Sequence, residues 1–213
     1  MTANEQTILD TGCKVNLYLD ILGRREDGYH ELESFLLPLP NPSDRLIISP
    51  GIGDTGITVE SSLPELEGED NILVKAYQVF TKTTGYSPDL PIRLEKNIPV
   101  WAGLGGGSSD AAALLDFLTS RLPKAKAVTD NEISDMAMQV GADVPFFLKN
   151  RPAWVTGIGE ICVPAELDLS GYVLVLITPD VAISTPWAYR IWDENKLGEL
   201  DLNAKQNCLT RTS

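Results

Sequence analysis

The stretch Pro99-Val-Trp-Ala-Gly-Leu-Gly-Gly-Gly-Ser-Ser-Asp-Ala-Ala112 decides how the rest of this 213-residue chain is read, because it packs four glycines just ahead of a helical pattern. Gly103, Gly105, Gly106 and Gly107 carry no Cβ, so their backbone can enter positive φ and turn several N–H groups toward one anion. Ser108, Ser109 and Asp110 are N-cap residue types, and Ala111, Leu114, Leu115, Leu118 and Leu122 follow at helical spacing. The free N–H groups and positive dipole end of that helix would face whatever the glycines hold, which reads as a phosphate cradle.

Two other glycine motifs are set aside. A Walker A loop ends in Gly-Lys-Ser/Thr, and here Ser108 follows Gly107 directly. The dinucleotide fingerprint G-x-G-x-x-G fits Gly103 and Gly105 but meets Ser108 at its sixth position, and the alternation of Ile92 and Leu94 suits a half-exposed strand, not a buried parallel one. A flexible Gly/Ser linker would not stand between a strand and a capped amphipathic helix.

Around this loop the chain is that of a globular protein, with 43% hydrophobic residues and a formal charge of −13 from 17 Lys and Arg against 30 Asp and Glu. Such a field repels polyanions, so nucleic acid and anionic membrane are excluded as expected partners and a nucleotide must be held by local donors. Cys13, Cys162 and Cys208 are odd in number and lack metal-ligand spacing, which suits incidental thiols in a reducing compartment. No apolar run reaches the length of a membrane span, and Met1 to Asp10 is too polar for a signal or transit peptide, so a cytoplasmic location is expected.

Along the chain, Val15, Leu17, Leu19 and Ile21 alternate with Lys14, Asn16, Tyr18 and Asp20, which predicts a half-buried strand whose polar face, with Lys14 and Asn16, can look into a cleft. Asp44 to Ser49 and Gly56 to Glu60 read as further strands. Asn71 opens a helix through Thr84 that Gly85 stops, and Ile92 to Glu95 is the strand before the glycine loop. Thr129 and Glu132 form a capping box for a helix ended by Gly141, with Asp143 just beyond. Ala153 to Val163 reads as a hairpin, Tyr172 to Thr178 as a buried strand, and Ser184-Thr-Pro186 as a helix start. The expected class is α+β, with a domain boundary near Pro164 to Ser170.

The form Pro-x-x-x-Gly-Leu-Gly-Gly-Gly-Ser-Ser-x-Ala-Ala resembles the phosphate-binding motif of the GHMP kinases, the superfamily of galactose, homoserine, mevalonate and phosphomevalonate kinases. Lys14-Val-Asn-Leu17, Asp27-Gly-Tyr-His30 and Gly141-Ala-Asp-Val-Pro-Phe-Phe147 narrow the likeness to its isoprenoid-precursor branch, over about residues 13 to 192. The resemblance implies an amino-terminal domain like ribosomal protein S5 domain 2 over residues 1–165. Residues 166–213 would be the incomplete start of a ferredoxin-like domain. It further implies transfer of a phosphoryl group from ATP, with Mg²⁺, to the 2-hydroxyl of a small-molecule substrate, a cytidine diphosphate-linked methylerythritol. The rivals are another GHMP small-molecule kinase or a catalytically silent nucleotide-binding module.

The residue roles follow from the same resemblance. Asp143 is the expected general base, and the negative end of the helix before it would favour basicity. Lys14 is the expected second catalytic residue beside it; without the resemblance each would read as a turn aspartate or a solvated strand lysine. The lead-in Gly-Cys-Lys14 departs from the Pro-Ala-Lys usual in the family. ATP is expected on Pro99, Ala102, Gly103, Leu104, Gly105, Gly106, Gly107, Ser108 and Ser109, with Lys96 and Asn71 nearby. The substrate is expected on Asn16, Tyr29, His30, Thr185 and Tyr189, the two tyrosines stacking on the base; core packing of Tyr189 with Ile191 or Trp192 is the alternative. No protein-only metal site is expected, with Mg²⁺ held by phosphates and perhaps one of the two serines. Relatives of this kind run on to a second glycine-rich motif, absent after Gly198. Exposed apolar surface is therefore expected, in a monomer, a homodimer or a chain that associates through that surface.

Overall fold

A computed structural model describes residues 6–51, 53, 56–179 and 183–195. Two long strands, β1 (Thr7–Arg24) and β2 (His30–Ile48), form an antiparallel hairpin that organises the molecule. On its other edge β2 pairs at one end with β4 (Leu90–Glu95) through Arg45–Ile48, and at the other with β5 (Ala153–Gly157) through Leu32–Leu36. β3 (Ile57–Ser61) runs parallel to β4, and β6 (Ile161–Pro164) closes the hairpin with β5.

Helices α1 (Ile72–Thr84), α2 (Gly106–Ser120), α3 (Asp130–Val140) and α4 (Val144–Lys149) join this sheet around one core. Leu46, Leu73, Phe80, Leu114, Leu115, Met136 and Phe146 are fully buried there. Truncating a leucine so packed typically costs about 2–5 kcal/mol, so α2 is a rigid mount for the loop before it. A second, small cluster of Cys13, Ile98 and Leu104 sits beneath the glycine loop.

Local signals behave as their chemistry predicts where the partners are close in sequence. The Asn71 side chain accepts from the Leu73 N–H at 2.8 Å, and Gly85 ends α1 at φ 60°. Thr129 and Glu132 form the full capping box of α3. The α+β class and the 153–163 hairpin also stand.

Three expectations are corrected. Leu17 and Leu19 are 47% and 54% exposed, while Lys14 is buried, so the apolar set of β1 is its outer face at this end. Alternation separates two faces without saying which is inward, and register shifts at Thr11/Cys13 and Asn16/Tyr18 re-aim the strand. Second, α2 begins at Gly106 with Gly105 as N-cap, without a side-chain cap; Ser108, Ser109 and Asp110 already lie inside the helix. Third, 172–178 forms no strand: Tyr172, Val173, Val175 and Ile177 are 75–88% exposed. An apolar run becomes a buried strand only with a ladder partner, and none pairs with it among the described residues. α5 (Thr185–Asn195) follows, and the tail beyond it lies outside the described residues.

Candidate active site

The glycine loop is tied to the sheet at two points. The Lys14 N–H donates to the Leu104 carbonyl at 2.8 Å, and Asp44 Oδ1 accepts from the backbone N–H groups of Asn97 and Ile98 at 2.7 and 2.8 Å. Gly103 and Gly105 take φ of 71° and 70°, the left-handed region that side chains resist. The first helical bond of α2 runs from the Ser109 N–H to the Gly105 carbonyl, which leaves the N–H groups of Gly106, Gly107 and Ser108 without a helical partner. With no side-chain cap competing for them, they are free to bind an anion.

On one side of the loop lies a cavity of about 360 Å³. Of the eleven residues expected to hold ATP, ten line it: Asn71, Lys96, Pro99, Ala102, Gly103, Leu104, Gly105, Gly106, Gly107 and Ser108. Ser109 does not, being buried within the packed side of α2. On the other side lies a cleft of about 1040 Å³ lined by Lys14, Asn16, Tyr29, His30, Asp143 and Tyr189 among others. Gly103, Gly105 and Ser108 line both, so the two spaces meet at the loop. The backbone of Thr185 starts α5, and its side chain lies outside the described residues.

In the cleft the Lys14 ammonium lies 3.8 Å from the Asp143 carboxylate. A relay holds it there: Lys14 Nζ donates to Asn16 Oδ1 at 2.7 Å, Asn16 Nδ2 to Ser34 Oγ at 2.8 Å, and Ser34 Oγ to the Tyr18 carbonyl at 2.7 Å. Asp143 itself caps nothing and its side chain is 37% exposed, so the carboxylate is available to a ligand. It stands between the C-terminus of α3 and the N-terminus of α4, so the one-signed helix field expected from the sequence is not what it meets.

Lys96 is not a free cation waiting for a phosphate. Its ammonium donates to Asp44 and, at 3.0 Å, to Asp110 Oδ2, with all three side chains buried. Burial opposes the Lys96 charge, but the two carboxylates outweigh it and raise its pKa. Burial pushes Asp110 up to about 6; Lys96 opposes this and Asp44 adds to it. Both shifts are upward because two carboxylates share one ammonium, which leaves one surplus negative charge when all three ionise. Sequence reasoning missed Asp44 and took Asp110 for a cap, since nothing local marks contacts made across 52 residues.

At the far end of the cleft, Tyr189 stacks on His30 at 4.5 Å with ring planes 13° apart, and Trp192 meets the same imidazole edge-on at 5.5 Å. Tyr189 therefore packs on a residue of the cleft, not in a separate core with its helix neighbours. Tyr29 is 60% exposed beside it.

A rigid N–H cradle between a nucleotide-sized cavity and a cleft holding a Lys–Asp pair defines a class. Residues 71–151 match the family described as GHMP kinases N terminal domain. The fold agrees with a mevalonate diphosphate decarboxylase from Legionella pneumophila at TM-score 0.60 and 12% identity, covering 89% of this chain and 64% of that one.

Within that class the chain belongs to the 4-diphosphocytidyl-2-C-methyl-D-erythritol kinase family. It is 50% identical over 193 residues to such a kinase from Oleidesulfovibrio alaskensis, covering 91% of this chain and 58% of the relative. It is 40% identical over 208 residues to that of Nitratidesulfovibrio vulgaris, covering 97% and 70%. A crystal structure of 4-(cytidine 5'-diphospho)-2C-methyl-D-erythritol kinase superposes with TM-score 0.66 at 34% identity over 86% of this chain and 63% of that one. The chain thus spans roughly three fifths to seven tenths of its relatives' lengths.

Proposed function

We propose that this chain carries the ATP- and substrate-binding part of a kinase that phosphorylates the 2-hydroxyl of 4-diphosphocytidyl-2-C-methyl-D-erythritol, in non-mevalonate isoprenoid precursor synthesis. The observation that carries the reading is the sharing of Gly103, Gly105 and Ser108 between the two spaces. A nucleotide in the smaller cavity would end its phosphates on the free N–H groups of Gly106, Gly107 and Ser108, facing an acceptor in the cleft. Asp143 would take the proton of the attacking hydroxyl, and Lys14, held by Asn16, places its charge where the oxygens of the transferring group accumulate theirs. Tyr29 and Tyr189 offer aromatic faces to a base at the cleft's far end. Residues 1–165 would act as the binding domain, with α5 of the following segment completing the base end.

Mg²⁺ fits this donor set. No group of three His, Cys, Asp or Glu side chains gathers for a metal among the described residues, and this ion is commonly held through phosphates and water with few protein ligands. Ser108, lining both spaces, is the hydroxyl that would reach it. When bound, it would neutralise charge on the bridging phosphate oxygens. A cytoplasmic setting belongs to the same reading, with Cys13 and Cys162 as buried free thiols.

The exposed Tyr172–Ile177 segment favours a second reading, a binding module that does not turn over by itself. A coupled ADP-release assay with ATP, Mg²⁺ and the cytidylyl substrate, run beside calorimetry for each ligand, separates the two. Substrate-dependent ADP release supports the kinase. Binding of both ligands without release supports the module, and failure to bind the cytidylyl substrate overturns both.

A further inference from the structure

Asp193, near the end of α5, was not among the residues that sequence reasoning selected, yet it is the hydrogen-bond partner of the single histidine of the chain. His30 Nε2 and Asp193 Oδ1 are 2.8 Å apart, and Arg24 stands 3.5 Å from the other carboxylate oxygen. An ionised carboxylate can only accept, so the hydrogen of a neutral imidazole is on Nε2 and Nδ1 presents a lone pair. Nδ1 has no partner among the described residues. Since no sealed side-chain nitrogen or oxygen there lacks one, Nδ1 is open to the cleft that His30 lines.

The stacking geometry says what such a lone pair can read. A base hydrogen-bonded edge to edge with the imidazole lies in the imidazole plane, hence nearly parallel to the Tyr189 ring, which would cover the pair. Cytosine offers its 4-amino group as a donor where uracil offers a 4-oxo acceptor. An acceptor at Nδ1 pairs with the first and repels the second.

We infer that Asp193 is a positioning residue that holds His30 as the Nε2–H tautomer, and that this makes Nδ1 the acceptor which selects cytosine over uracil. The inference rests on the proposed cytidylyl pocket. It adds the element that sets the polarity of the contact, a carboxylate that never touches the base.

The test uses ring-¹⁵N NMR of His30 at about pH 8.5, above the ordinary imidazole range, together with calorimetric titration of cytidine diphosphate and uridine diphosphate. With one histidine, the ring spectrum needs no assignment. Wild type should show the Nε2–H pattern and prefer the cytidine nucleotide by about tenfold or more. In Asp193→Asn the amide oxygen should turn to Arg24 and the amide NH₂ to His30, which moves the ring hydrogen to Nδ1. The cytidine preference should then fall at least about tenfold, while ATP affinity, whose cavity Asp193 does not line, stays unchanged and reports an intact fold. An unchanged tautomer in the variant overturns the inference, and so does a moved tautomer with an unchanged preference. If wild type holds the Nε2–H form yet prefers neither nucleotide, the cytidylyl reading itself fails, and base selection by Nδ1 fails with it.

Discussion

Adding one methyl group to the glycine loop at two positions should give two different outcomes. Gly103 and Gly105 have nearly equal φ, 71° and 70°, so alanine at either adopts the left-handed region at about 1–2 kcal/mol. A Cβ on Gly103 meets nothing within 4 Å, and the cost ends there. A Cβ on Gly105 would stand 2.9 and 3.0 Å from the Phe147 ring and 3.1 Å from Lys14 Cγ. Phe147 is buried and packs edge-on against Phe146 at 5.2 Å, so it cannot swing aside cheaply. Overpacking of this kind costs a further 1–3 kcal/mol or so, giving a total of about 2–5 kcal/mol. Urea denaturation of both variants measures the difference directly. At roughly 2–4 °C per kcal/mol for a chain of this size, the Gly105→Ala midpoint should fall several degrees below that of Gly103→Ala. Gly105→Ala should also weaken ATP more, because relief of the clash moves the loop or Lys14. Equal losses in both variants would refute the reasoning, since the shared φ would then be the whole effect.

Asp143→Asn should lower phosphoryl transfer by about 10² or more while sparing ATP binding, and a residual rate above a tenth of wild type would remove Asp143 from the proton-accepting role. Tyr29→Ala should weaken the cytidylyl substrate by about 1–3 kcal/mol in calorimetry and leave ATP alone; equal loss of both would mean that the fold, not the stack, had been damaged. Asp110→Asn should change stability in a pH-dependent way. Burial lifts the Asp110 carboxyl from 3.8 to about 6, so the folded state binds this proton more tightly than the unfolded chain, and the group's favourable contribution is lost as pH rises through about 6. The asparagine variant should therefore gain on wild type at pH 8, by up to about 3 kcal/mol, and the gain should vanish toward pH 4; a pH-independent difference in urea midpoints would show that the surplus charge is not the cause.

Much of the nucleotide side was legible because its parts are neighbours in the chain. The loop's N–H groups, its left-handed glycines and the helix behind it are specified within about fifteen residues, and the caps at Asn71, Gly85 and Thr129 act over three or four. Even there, residue type misled: Ser108, Ser109 and Asp110 have cap chemistry, but a left-handed Gly105 starts the helix earlier and carries Asp110 into the interior, where Lys96 and Thr11 receive it.

From the sequence by itself came the phosphate-binding loop, the run of helices and strands around it, and the residue types that phosphoryl transfer needs. Only the tertiary structure decided which face of β1 looks inward, that Lys96 is committed to two buried carboxylates, and that Asp193 rather than solvent faces His30. It also left Tyr172–Ile177 exposed, where the pattern alone reads as a buried strand. The physical reason is common to all four. Caps and turns are closed by groups a few residues away, whereas burial, charge pairing and strand formation depend on what arrives from up to 163 residues along the chain, and a residue's own type does not encode its distant partner.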